Sequence, residues 1–375
     1  MITRIKTFLI FLISYFLIDF ILSYLFLFNL IFLNLEKIYQ SDLENRIPNK
    51  EYKYTFKSNT SFQSRYNDFI YTIKTNNLGF RDKEIRKLDY DSSYIYLAGD
   101  SFLEGVGLDF DETILSFLEN ENFKERELLN SGVASYSTYI YKKKLNFFLE
   151  NKPNLKIKRV IILFDKSDPI DDQQYISEPN YFDQEVSTPK YKKNLSERFI
   201  TLAFLKILGN FLDEKRRDIK YRYLISKKYN KSFFELNQNQ IQAFKSIGNR
   251  RFISSYYSDN EKWENETKKF LIFSFKQLKE IEEILSKKNI QLDIFLYPWS
   301  FELADKELSS KYINFMNLQN KKNNLNIHNC YDFFQKKDPL EQLNFIGETY
   351  LYADVHYNSK GNSLLADCIK TKLEN

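Results

Sequence analysis

Five short apolar runs punctuate the chain from Tyr94 onward, and the stretches between them carry apolar residues at helical spacing. The runs read as strands over Tyr94–Leu97, Glu127–Asn130, Val160–Phe164 and Leu292–Tyr297, with a weaker one near Leu325–Ile327. Strands that are apolar on both faces and alternate with helices build βαβ units, so the expected core is a parallel sheet with helices on either side. Tyr141, Leu145, Phe148 and Leu149 form the i, i+4, i+7, i+8 stripe of a crossover helix. A long helix is expected over Asn265–Lys288. A last one, over about Lys360–Leu373, would bury Leu364, Leu365, Cys368 and Ile369.

Open sheets of this kind hold ligands at the carboxyl ends of their strands. The first run stops abruptly at Gly99-Asp100-Ser101-Phe102, which puts a serine hydroxyl at that edge. The chain has only two histidines, His328 and His356, and His356 stands in Asp354-Val355-His356 beside a turn. A hydroxyl becomes a nucleophile at neutral pH when a base takes its proton and a third group orients the base. Ser101, His356 and Asp354 are the residues that can fill these three roles. Without the downstream Asp-x-His, Gly-Asp-Ser would read as an ordinary turn, since all three residues are common turn formers.

In four short blocks the chain resembles the SGNH (GDSL-like) hydrolase superfamily, in its membrane-anchored form related to polysaccharide O-acetylation and deacetylation proteins. The first block is Gly99-Asp100-Ser101-Phe102, continued by Glu104-Gly105-Val106-Gly107. The second is Leu128-Leu129-Asn130-Ser131-Gly132, where Gly132 matches the glycine whose N–H joins that of Ser101 in the family's oxyanion hole. The third departs from the family's Gly-x-Asn-Asp: Val160–Phe164 runs into Asp165-Lys166-Ser167-Asp168. The asparagine is absent, and an ionised Asp168 in its place would repel an oxyanion. The fourth reads Asp354-x-His356, one residue shorter than the family's usual spacing. The resemblance implies a three-layer α/β/α, flavodoxin-like parallel sheet preceded by one transmembrane helix. It also implies a serine esterase or O-acyltransferase acting, without cofactor or metal, on acyl esters of a cell-surface glycan. The contrasting reading is a non-catalytic SGNH-fold protein that binds glycan or organises a polysaccharide-modification complex. A carboxylate of Asp168 aimed into the site would favour that second reading.

From Thr7 to Leu35 the chain is almost wholly apolar, longer than the roughly 20 residues a membrane-crossing helix needs. Arg4 and Lys6 precede the run, which predicts a cytoplasmic N-terminus and an extracytoplasmic remainder. No small-residue cleavage site ends it, so an uncleaved signal anchor is expected. Asp19, inside the run, is a candidate contact for a partner helix. The domain reading is an anchor over residues 1–39, a linker and N-terminal extension over 40–91, and an α/β domain over 92–375. The extension contains Thr75-Asn76-Asn77-Leu78-Gly79-Phe80-Arg81, a strand meeting a turn, and Arg81 is either a substrate contact or a structural ion-pair partner. A helical insertion over about 171–262 interrupts the α/β alternation. Within it, Lys190–Lys231 carries 13 Lys and Arg against 4 Asp and Glu, which suits either an anionic leaflet or a solvated lid. Trp299, closing the strand Leu292–Tyr297, either stacks on a sugar ring or fills the rim. A formal net charge of +5 is modest for 375 residues and gives no support for nucleic-acid binding. The two cysteines, Cys330 and Cys368, either pair outside the cytoplasm or remain as buried thiols.

Overall fold

The computed structural model describes residues 2–22, 33–121, 127–177, 200–248 and 251–374. Among the described residues, ten strands form two sheets: β1 Arg46–Asn49, β2 Lys53–Phe56, β3 Ser61–Tyr66, β4 Phe69–Thr75, β5 Arg81–Asp82, β6 Ser93–Ala98, β7 Glu127–Asn130, β8 Lys156–Phe164, β9 Gln291–Leu296 and β10 Ile327–Asn329. Strands β1 and β2 pair with each other, and the other eight lie in the order β10-β9-β8-β6-β7-β5-β4-β3. The five from β10 to β7 are parallel. The four from β9 to β7 were legible as apolar runs, because their residues are buried from both sides: Tyr94 to Leu97 and Val160 to Leu163 are wholly inaccessible to solvent. The weakest run is displaced by two residues, to Ile327–Asn329.

Counted along the chain, the parallel strands take the spatial order 2-1-3-4-5, so the direction of progress reverses at β6 and β8. That reversal opens a crevice beyond the carboxyl ends of these two strands, the usual ligand position of such sheets. Right-handed crossovers put the helix Ile114–Glu121 on one face and Thr138–Asn151 on the other. The first packs with the last helix, Ser359–Glu374, and the second with Lys268–Ser286.

The sheet is not wholly parallel. Strands β3, β4 and β5 extend it antiparallel, with Arg81 of β5 paired to Asn130 of β7. They arise from the stretch read as a linker. Its strands are half-exposed, as the alternating burial of β3 shows, and so lack the continuous apolar signal of the core.

The chain divides into two compact units, one of residues 1–44 and 187–234, the other of 45–186 and 235–375. The smaller contains the helices Ile2–Leu22, Leu33–Asn45 and Ile200–Tyr229, the second ending one residue beyond it. Of the apolar run Thr7–Leu35, residues 23–32 lie outside the described residues, as do 190–199 of the basic stretch. Among the described residues, no helix is long and apolar enough to cross a membrane, so the expected single transmembrane span is not seen in that form. Asp19 is buried, at 7% exposure, and engaged within the chain.

Candidate active site

Strand β6 ends at Ala98, and the chain turns through Gly99 and Asp100 into a one-turn helix, Ser101–Glu104. Asp100 caps that helix, its Oδ1 accepting the Phe102 N–H at 3.0 Å. Ser101 is therefore the first helical residue, half-buried at the crevice, and its N–H has no carbonyl in a preceding turn to bond. Gly105 ends the helix at φ 77°, and a Cβ there would stand 2.9 Å from Arg81 Nη1, so only glycine fits.

His356 arrives from the far end of the chain on a tight loop. The loop is closed by a bridge between Tyr350 and Tyr357 and by the Leu351 N–H bonded to the His356 carbonyl at 2.8 Å. Asp354 and His356 form an Asx turn, with Asp354 Oδ1 accepting the His356 N–H at 3.0 Å. The same oxygen lies 2.5 Å from His356 Nδ1, and His356 Nε2 lies 2.8 Å from Ser101 Oγ. These contacts fix the tautomer: Nδ1 carries the proton and donates to Asp354, while Nε2 accepts from the serine. The two-residue spacing thus closes a serine–histidine–aspartate line. The imidazole is held in plane by Phe102, 4.7 Å away, and by Tyr66, edge-on at 5.1 Å.

Burial pushes the Asp354 carboxyl up, but the hydrogen bonds and charge of His356, with the Tyr66 hydroxyl, outweigh it and hold the group at about 2. Its second oxygen, Oδ2, accepts from Tyr66 Oη at 3.1 Å and Asn67 Nδ2 at 3.0 Å. Asp100 behaves oppositely: burial, then the charge of Asp165, raises it well above the usual carboxylate range. Its Oδ2 lies 3.2 Å from Ser101 Oγ, and in the neutral form it does not compete with His356 as a base.

The other expected site residues are placed differently. The Gly132 N–H, expected to serve an oxyanion, donates to Asn130 Oδ1 at 3.0 Å. Asp168 is wholly buried and turned away: Oδ1 accepts from Tyr141 Oη at 2.9 Å and Oδ2 from the Asp165 N–H at 3.0 Å. It therefore lies outside the oxyanion position expected for the third block. Trp299 is 2% exposed and donates from Nε1 to Asp165 Oδ2 at 2.8 Å, so it has no open face for a sugar. Arg81 is equally buried and touches carbonyls rather than a carboxylate: Nη1 donates to Glu104 O at 2.5 Å and Gly105 O at 2.8 Å, and Nη2 to Leu108 O at 2.6 Å. It shapes the loop behind the nucleophile instead of touching substrate. The second histidine, His328, bonds Asp293 at 2.8 Å and stacks on Phe295, away from the serine.

Two parts of the surroundings were given no role by the sequence. Glu104, three residues after the serine, is fully buried and binds Arg46 of β1 at 2.6 Å and the Ala134 N–H at 2.6 Å, tying three segments around the helix. Burial raises Glu104, but the Arg46 guanidinium outweighs it and keeps the group ionised. The β3–β4 turn borders an open cleft of about 860 Å³, lined by Arg65, Tyr66, Asn67, Tyr352 and Asp354 among others. Among the described residues, no group of three or more His, Cys, Asp or Glu is arranged to hold a metal ion.

No protein-family model and no curated protein matches the chain. Among solved structures it is similar to that of a candidate acylhydrolase from Bacteroides fragilis NCTC 9343, at 10% identity and a TM-score of 0.34, over 75% of this chain and 86% of that one. At that identity and score the likeness does not bear on the chemistry of the site.

Proposed function

We propose that the protein is a serine esterase or O-acyltransferase that works through an acyl-Ser101 intermediate. The observation that carries this reading is the continuous hydrogen-bond line from Ser101 Oγ through His356 to Asp354 at the carboxyl end of β6. In the first step Ser101 Oγ attacks the ester carbonyl as His356 Nε2 takes its proton, and Asp354 stabilises the imidazolium. The tetrahedral adduct collapses, its C–O bond breaks, and the alkoxide leaves with the proton from Nε2. Water or a glycan hydroxyl then loses a proton to Nε2 and attacks the acyl-serine, and Ser101 departs protonated. The Ser101 N–H at the helix start is the candidate oxyanion donor.

Acetyl esters of an extracytoplasmic glycan are the proposed substrates, which rests on the sequence resemblance. A membrane-bound location is supported by the N-terminal helix, where Phe8, Ile10, Phe11, Ile13 and Leu17 are more than half exposed behind Arg4 and Lys6. An oxidising compartment is supported by the disulfide between Cys330 and Cys368. Asp168, turned to Tyr141 and the backbone, offers the non-catalytic reading nothing. The test supplies an aryl acetate with and without an oligosaccharide acceptor. Acetate release identifies an esterase and acetylated oligosaccharide a transferase. Folded protein that yields neither would overturn the enzymatic reading.

A further inference from the structure

Asp354 presents its two oxygens to different parts of the chain. Oδ1 is committed to the Asx turn and to His356, whereas Oδ2 is bonded to Tyr66 and Asn67, which border the cleft of about 860 Å³ beside it. Without partners on Oδ2 the carboxylate could rotate about its Cβ–Cγ bond, and rotation would swing Oδ1 off Nδ1. The short Asp-x-His spacing makes this acute, because one two-residue turn carries both groups. Across Oδ2 lies the tip of the β3–β4 hairpin, whose closing pair is Tyr66 and Phe69. Asn67 occupies a left-handed conformation, φ 51°, which asparagine tolerates better than most residues, and its Nδ2 reaches Oδ2 at 3.0 Å. Tyr66 Oη reaches the same oxygen at 3.1 Å, while its ring abuts the imidazole edge-on.

From this geometry we infer that the β3–β4 hairpin tip is the positioning element of the active site: Tyr66 and Asn67 lock the Asp354 carboxylate so that Oδ1 stays on His356 Nδ1. The inference rests on the Ser101–His356–Asp354 reading, and it gives the antiparallel extension of the sheet a task. Residues some 288 positions upstream of Asp354 hold it in register. Hydrogen bonds to a charged acceptor are the stronger kind, so their joint loss is felt in the step that needs the imidazolium.

The test uses the full chain with Tyr66→Phe, which keeps the ring, and Asn67→Gly, which keeps the left-handed backbone accessible. The double variant should lower kcat for an aryl acetate by on the order of 10- to 100-fold, with KM within about twofold. In an Asp354→Asn background the same pair should cost less than about threefold, since a positioning residue has no effect once its target is gone. A merely structural role would cost the same in both backgrounds. Proton NMR supplies a readout independent of turnover: the His356 Nδ1–H should resonate far downfield, separated from His328 by His328→Gln, and should shift or vanish in the double variant. If the wild-type protein has no turnover, the Ser101 reading falls and the resonance alone decides the positioning claim. An unchanged resonance, or equal losses in the two backgrounds, overturns it. Should the double variant not fold, each single variant is held to the same criteria at about tenfold.

Discussion

Asp100 and Asp354 both lie within hydrogen-bond reach of the proposed catalytic groups, yet folding moves their protonation in opposite directions. Asp354 ionises in the folded protein at about 2, below the roughly 3.9 of an unfolded aspartate. Its contribution to stability is therefore complete above about pH 4 and lost as pH falls toward 2. Asp100, raised by burial and by Asp165, keeps its proton in the folded state over a range where the unfolded chain has released it. Stability then falls as pH rises through that window. Asp100→Asn removes this cost and keeps an oxygen for the Phe102 N–H, so thermal unfolding of the variant should depend less on pH above about 4 than that of the wild type. Identical pH slopes would show that Asp100 is ionised in the folded protein. At this scale the sequence displayed Ser101, Asp354 and His356 because one of only two histidines stands in an Asp-x-His and the serine ends an apolar run in Gly-Asp-Ser. It did not display Tyr66 or Asn67, nor any role for Glu104, which are ordinary residues made important by contacts across 288, 287 and 58 positions.

The elements repeat the lesson in another form. The parallel strands were legible because burial on both faces leaves a continuous apolar run, and the helix expected over Asn265–Lys288 forms as Lys268–Ser286 behind one π-helical turn, Trp263–Thr267. Of the edge strands only the turn after Thr75 was legible, since half-exposed strands spell no such run. The pairing of Cys330 and Cys368 was equally hidden, as it needs the last helix laid against the start of the helix Tyr331–Phe334. The bond closes a loop across 38 positions that contains the whole His356 turn. By loop-closure entropy it stabilises the fold by about 4 kcal/mol. Cys330→Ala with Cys368→Ala should lower the denaturant-unfolding free energy by about that amount. An unchanged midpoint would mean that the two sulfurs are not bonded in the protein.

For the whole molecule, the proposed chemistry lies in one of the two compact units, and the other collects the N-terminal helix and the helix Ile200–Tyr229. On the latter, Leu205, Ile207, Phe211 and Leu212 are exposed ahead of a run of lysine and arginine. If the N-terminal run anchors the chain as proposed, a reporter active only outside the cytoplasm should work when fused after Asn375. Activity of a cytoplasmic reporter alone would remove the extracytoplasmic substrate from the account.

The central claim is that Ser101 is an activated nucleophile, and covalent labelling by a fluorophosphonate measures that directly. Wild-type protein should label on Ser101, and labelling should vanish in Ser101→Ala. It should fall by several orders of magnitude in His356→Ala, which removes the base, and less in Asp354→Asn, which only misorients it. Absence of labelling in folded wild-type protein, or labelling that survives in Ser101→Ala, contradicts the account.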